Sequence, residues 1–226
     1  MTKNQQQTIY LSPEAMASIS FLRSEELMFT WREEDKIQSK LISHEAAVLA
    51  FNTTHTEDSG WLPENVLRTG RNVRGAWAVY VTRPQMVQIV TDQDEKLNIP
   101  IPATLFLGWG SRYYLWALPN KKFNPSLPVF RAPFPNIYSN GRICWGNHKV
   151  PKAKAANIGR VWETFFGTAF NEHISNNKCK SCSNTVLELL RRLSAESATV
   201  FPQRELIGEY ATVENCLHNT LQHGGD

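Results

Sequence analysis

No apolar run in the 226 residues approaches the roughly 18 that a membrane-spanning helix needs. The opening MTKNQQQTIYLS carries one Lys and no long apolar block, so it does not read as a signal peptide. Cysteine is scarce. Four in the chain do not make a disulfide framework, so a reducing cytoplasm is the expected compartment and the thiols are free, metal-bound or catalytic. No internal repeat exists, and Gln5-Gln6-Gln7 is the one low-complexity patch. No motif for a cofactor is present, and none is expected.

What is present suits a packed core. Hydrophobic residues make up 42% and aromatics 11%, which argues against disorder. Charge is uneven. Residues 1–60 hold 5 Lys and Arg against 9 Asp and Glu, a net −4. Residues 61–226 hold 19 against 12, a net +7. The surface after residue 142 is therefore mildly cationic. That fits a solvated face, an acidic partner or a phosphate backbone.

The first third mixes an apolar stretch at Ile9–Leu11, a Ser12-Pro13 start signal, an alternating run at Leu27–Trp31 and a helical piece at His44–Phe51. The polar segment Asn52–Gly60 reads as a loop. From Gly75 the pattern turns β. Strands are expected at Ala76–Val81, Met86–Val90, Thr104–Leu107 and Tyr113–Leu118, the last two forming a hairpin across Gly108–Ser111. Short links exclude parallel crossovers, so a four-stranded antiparallel meander follows. Ile158, Val161, Trp162, Phe165, Phe166, Ala169 and Phe170 then recur at helical spacing, with Asn157 placed as N-cap. A second helix fits Thr185–Leu193, with Thr185 and Glu188 at capping-box spacing. A short helix is possible at Glu205–Tyr210, and Gln222–Asp226 reads as a frayed end. The class is α+β. The organisation is an extension over 1–74 that packs on the core, a core over 75–193, and a tail over 194–226.

Two cysteine features carry chemistry. The first is PFPNIYSNGRICWGN, residues 133–147. Pro135 forces Phe134 extended, Ser139-Asn140-Gly141 is turn chemistry, and Ile143 and Trp145 flank Cys144. From spacing alone, Cys144 is either a small buried hydrophobe or a nucleophile. An amide such as that of Asn136 near a thiol can stabilise the oxyanion formed at a thioester. Arg142, His148 and Lys149 lie close in sequence and are of the type that favours a thiolate. The second is Cys179-Lys180-Ser181-Cys182. With His173, and with Cys216 or His218 from the tail, it could form a zinc site; otherwise it is a loop with two unbound thiols. The run Tyr113–Trp116 raises base stacking, but alternation makes at least one pair core. Nucleic acid is not an expected partner.

Pro135-Asn136, Ile137, the turn through Asn140-Gly141, and Ile143-Cys144 resemble the active-site segment of ubiquitin-conjugating enzymes. Those carry His-Pro-Asn with the acceptor cysteine eight residues after the Asn, as Cys144 follows Asn136 here. The wider chain is similar to the prokaryotic ubiquitin-conjugating-like family D, which includes a component of the bacterial PRTRC gene system. The features are Leu62-Pro63-Glu64-Asn65-Val66-Leu67, Ala132-Pro133-Phe134-Pro135-Asn136 and Cys144-Trp145-Gly146-Asn147. The resemblance implies the ubiquitin-conjugating (UBC) fold. It also implies transfer of a ubiquitin-like protein through a thioester on Cys144, with Asn136 as oxyanion donor or loop brace. The implied partners are the ubiquitin-like protein, an adenylating activating enzyme and a protein substrate. The alternative is a non-catalytic binding module with the same fold. Phe134 stands where the parent family has His. Trp145-Gly146-Asn147-His148 replaces the acidic residue that often follows the cysteine.

Overall fold

The computed structural model describes residues 11–223, apart from Pro13, Asp35, residues 53–59, Val73, Ser183, Glu209 and Tyr210. The expected features at Ile9–Tyr10, Pro13, most of the Asn52–Gly60 loop, Glu209–Tyr210 and Gly224–Asp226 lie outside the described residues. The chain forms two compact units, residues 1–58 and 59–226.

In the first unit, β1 (Ala17–Phe21), β2 (Leu27–Glu33) and β3 (Lys36–Ile42) make an antiparallel sheet. Phe29 and Trp31, two apart on one face of β2, stack at 5.3 Å beneath the Lys40 ammonium. Helix α1 (His44–Asn52) follows, and the Ser43 hydroxyl accepts from the Ala46 N–H at its start.

The second unit is built on five antiparallel strands. These are β4 (Val66–Asn72), β5 (Gly75–Thr82), β8 (Ala103–Trp109), β9 (Arg112–Leu118) and β10 (Phe130–Arg131), in the order β10-β9-β8-β5-β4. The meander expected from the sequence is corrected at three places. The sheet takes in β4, ahead of Gly75. It gains β10. The Met86–Val90 run leaves it: β6 (Gln85–Thr91) pairs with β7 (Lys96–Ile101) and, in parallel, with β11 (Ala169–Phe170). β5 therefore pairs directly with β8, from Trp77–Trp109 to Thr82–Thr104. The β8–β9 hairpin forms as expected, closing at Trp109–Arg112 through Gly110, whose φ of +56° suits glycine.

Both faces of the main sheet are buried, so its central strands read as continuous apolar runs. One face packs Ala78, Phe106, Tyr113 and Leu115 against α2 (Ile158–Gly167) and α3 (Val186–Ala195). The other packs Val79, Leu105, Leu107, Tyr114 and Trp116 against Val213, Cys216 and Leu217 of α4 (Val213–His223). The alternation read for Tyr113–Trp116 holds, and both pairs are core, which leaves no stacking platform. Buried polar groups on the α2 side pair with one another. Thr82 and Thr104 hydroxyls lie 2.7 Å apart, and the Trp162 Nε1–H donates to Thr104 at 3.1 Å.

Helix ends differ in detail from the sequence reading. Thr185 caps α3, accepting from the Leu187 N–H at 3.3 Å. Asn157 precedes α2 but caps none of its N–H groups. Its amide closes the preceding loop instead, accepting from Lys154 N–H at 3.0 Å and donating to the Lys152 carbonyl at 2.9 Å. The stripe does not run through Ala169 and Phe170, because the helix stops at Gly167 and those two residues join β6. The expected helix at Glu205 is a single 3-10 turn over Gln203–Glu205. Gln222 and His223, read as frayed, belong to α4.

Candidate active site

The segment after β10 is rigid for reasons written in its residues. Residues Ala132–Ile137 are buried. Asn136 takes φ +60°, a left-handed conformation that Asn tolerates better than most side chains. In that conformation all of its backbone is used. Its N–H donates to the His173 carbonyl at 3.1 Å, and its carbonyl accepts the Cys144 N–H at 2.8 Å. The chain then doubles back. Ile137 bridges Ile143, and Tyr138 N–H donates to the Arg142 carbonyl at 2.8 Å. Gly141 sits at the tip with φ +85°, and a Cβ there would lie 2.4 Å from Nε1 of Trp116. This hairpin borders β9: Ile143 N–H donates to the Tyr113 carbonyl, and Leu115 N–H to that of Gly141. β10 and the hairpin thus share one edge of β9.

Cys144 emerges half-buried at the end of this hairpin. It lines a cleft of about 300 Å³ with Asn136, Trp145, His148, Thr168, Asn171 and His173. The two site residues read from the sequence, Asn136 and Cys144, are therefore brought together. The Asn136 side-chain amide donates to the Ala169 carbonyl at 3.4 Å. Of the three basic residues near the thiol in sequence, Arg142 stacks over the Tyr138 ring at 4.9 Å. His148 lines the cleft and is exposed, and Lys149 does not line it.

Phe134 is fully buried, with its ring edge-on to Phe166 at 5.2 Å and Phe165 at 6.4 Å. The position that carries His in the parent family is thus filled by packing against α2. Trp145 is anchored likewise, edge-on to Tyr113 at 5.8 Å and Phe165 at 6.1 Å, and its buried Nε1 finds no acceptor among the described residues.

A buried cation supports the hairpin. Lys178 donates from Nζ to the Ile137 carbonyl. Burial, with Arg131 nearby, lowers its pKa to about 8. Next to it, Cys179 and Cys182 have their sulfurs turned toward each other, with Cα atoms 5.4 Å apart, a spacing that a disulfide can bridge. The zinc reading fails to assemble. His173 lies in the Cys144 cleft, and Cys216 is buried under the opposite sheet face, where burial pushes its thiol up to about 12. Among the described residues no three His, Cys, Asp or Glu converge on a metal-sized site.

The far wall of the cleft, Thr168–His173, was not identified from the sequence. The apolar stripe runs on through Ala169 and Phe170 and conceals it. Gly167-Thr168 was the available stop signal.

Residues 39–208 match the prokaryotic E2 family D. The chain belongs to this family. Membership places it among ubiquitin-conjugating-like proteins, whose partners in general are ubiquitin-like proteins. The antiparallel sheet with flanking helices is the expected α+β arrangement, with five strands in place of four. No curated protein and no solved structure matches the chain. Among the described residues no helix is long and apolar enough to cross a membrane.

Proposed function

We propose that Cys144 accepts a ubiquitin-like protein as a thioester and passes it to an amine. The observation that carries this reading is the shared cleft: Cys144 stands half-exposed beside Asn136, tied to it through the backbone. In the first step the Cys144 thiolate attacks the carbonyl carbon of a thioester held by an adenylating activating enzyme. The activating enzyme's thiolate leaves. One thioester replaces another, so the step is nearly neutral in free energy. In the second step a lysine amine of a protein substrate attacks the same carbon. The amine's proton passes to solvent or to His148, and the Cys144 thiolate leaves. Asn136 has two amide N–H donors, of which one points to Ala169. The second is assigned to the oxyanion, and the Ala169 contact fixes the amide's direction. The reaction would run in the cytoplasm. A place in a PRTRC gene cassette belongs to the same reading, and neighbouring genes for an activating enzyme test it.

A second reading keeps the fold and drops transfer, leaving a module that binds a ubiquitin-like protein. It is favoured by the lining of the cleft, where no carboxylate is found among the described residues to activate the amine. One experiment separates the two. The protein is mixed with activating enzyme, ATP and ubiquitin-like protein, and run on a gel without reductant. Transfer predicts a thiol-sensitive adduct that Cys144→Ala abolishes and that Cys144→Ser converts to a more stable oxyester. No adduct from an active upstream enzyme, with binding retained by Cys144→Ala, rules transfer out in favour of the module.

A further inference from the structure

A second cavity, of about 540 Å³, opens at the strand ends of the main sheet and shares no lining residue with the Cys144 cleft. Its floor is apolar: Leu67, Val81, Leu118, Phe123 and Leu127. Leu67 is 47% exposed, an uncommon setting for a leucine on a strand. The β4–β5 register slips between Val66 and Arg68, so a bulge falls at Leu67. Val81 and Phe123 are half-buried and pack on the cluster beneath α4. Leu118 and Leu127 are buried at the base, so water meets the apolar surface of Leu67, Val81 and Phe123, which is unfavourable by about 25 cal/mol for each Å² left uncovered.

The rim has one sign of charge. Arg83, Lys121 and Lys122 line the cavity, and among the described residues no carboxylate does; Glu64 and Glu163 line a neighbouring hollow that shares Arg83, so the two lysines carry most of the rim charge. The ion pairs of this unit involve Arg68, Arg191 and Arg192, so none of the three rim cations is paired among the described residues. Lys121 and Lys122 are held side by side by the loop after β9, where Lys121 N–H donates to the Pro119 carbonyl at 2.8 Å. An apolar floor with a lysine-bearing cationic rim is complementary to one kind of occupant. A second copy bound through the same groove would set like charges against each other.

We infer that this groove docks a short acidic peptide segment of a partner protein, its Leu or Phe side chains on the floor and its Asp or Glu side chains against Arg83, Lys121 and Lys122. Docking there leaves the Cys144 cleft open, so the partner is held while the cleft is in use.

The test uses the full chain and a fluorescein-labelled peptide alternating Leu and Phe with Asp and Glu, read by fluorescence anisotropy. Saturable binding is expected, weaker in high salt. Lys121→Glu with Lys122→Glu should weaken it about tenfold. Leu67→Ser should weaken it comparably, and Cys144→Ala should leave it unchanged. The two lysines are exposed, so the doubly reversed variant should melt like the parent. The inference is overturned if a peptide with Lys in place of the acids binds equally well, or if the charge reversal leaves affinity unaltered. It is also overturned if a single-stranded oligonucleotide displaces the peptide and binds more tightly, or if sedimentation shows a dimer that the reversal dissociates.

Discussion

Phe134 packs edge-on against the Phe165 and Phe166 rings of α2 and carries no polar side-chain atom, so the loop before Cys144 is braced by area and shape. An imidazole there would be buried in an apolar cluster. Phe134→His should therefore destabilise the protein by about 2 kcal/mol, seen as a lower urea midpoint at unchanged m. An unchanged midpoint would mean a partner is within reach of the ring. Lys178 makes the second argument at this scale. Its pKa falls from an ordinary 10.5 to about 8 in the folded state. Between those values the unfolded chain holds a proton that the folded chain has released. Stability should thus rise as pH increases from about 8 to about 10.5. Lys178→Met should remove that rise, leaving a flatter stability–pH curve. Parallel curves for the two proteins would refute the assignment. The pairing of Asn136 with Cys144 was legible because eight residues of turn chemistry and a family resemblance separate and mark them. His173 was not legible as a neighbour of Asn136, since their contact is a single backbone hydrogen bond across 37 positions of sequence.

Elements follow the same division between local and distant causes. α3 was readable because Thr185 and the stripe Val186, Leu189, Leu190 and Leu193 lie within one short window. Thr185→Ala should cost about 1 kcal/mol by unfolding titration, and Thr185→Ser should restore most of it. Equal stability of the Ala and Ser variants would mean that the cap contributes nothing. β6 was readable as a strand and misread in its partner. Its period is the same whether it joins β5 or β7, so the choice rests on which long-range contacts bury more. β7 went unread because Pro100 interrupts its run. The proline is tolerated because β7 lies at the edge of its sheet. β11 is two residues long and has no periodicity to read.

At the scale of the molecule, three hydrophobic clusters have all their buried members between Val66 and Leu217, while Leu11, Leu27 and Ala47 are buried outside them. The unit over 59–226 is therefore expected to fold by itself. A fragment of those residues should show cooperative thermal unfolding and near-UV dichroism from its buried tryptophans. A fragment with helical signal but no cooperative transition would show that residues 1–58 supply part of the stability. The α+β class was visible at this scale because strands precede helices along the chain. The split of the second unit's strands into two sheets was not, as nothing in the order of elements distinguishes one sheet from two.

The burial of the main sheet on both faces has a consequence during synthesis. β9 leaves the ribosome long before α4 does, and at typical elongation rates the interval is on the order of ten seconds. Throughout it, Leu105, Leu107, Tyr114 and Trp116 lack the cover that Val213, Cys216 and Leu217 give, with only the segment around Leu127 and Val129 available to them. The protein's yield in the cell should therefore depend on the time spent in this state more than its final stability would suggest.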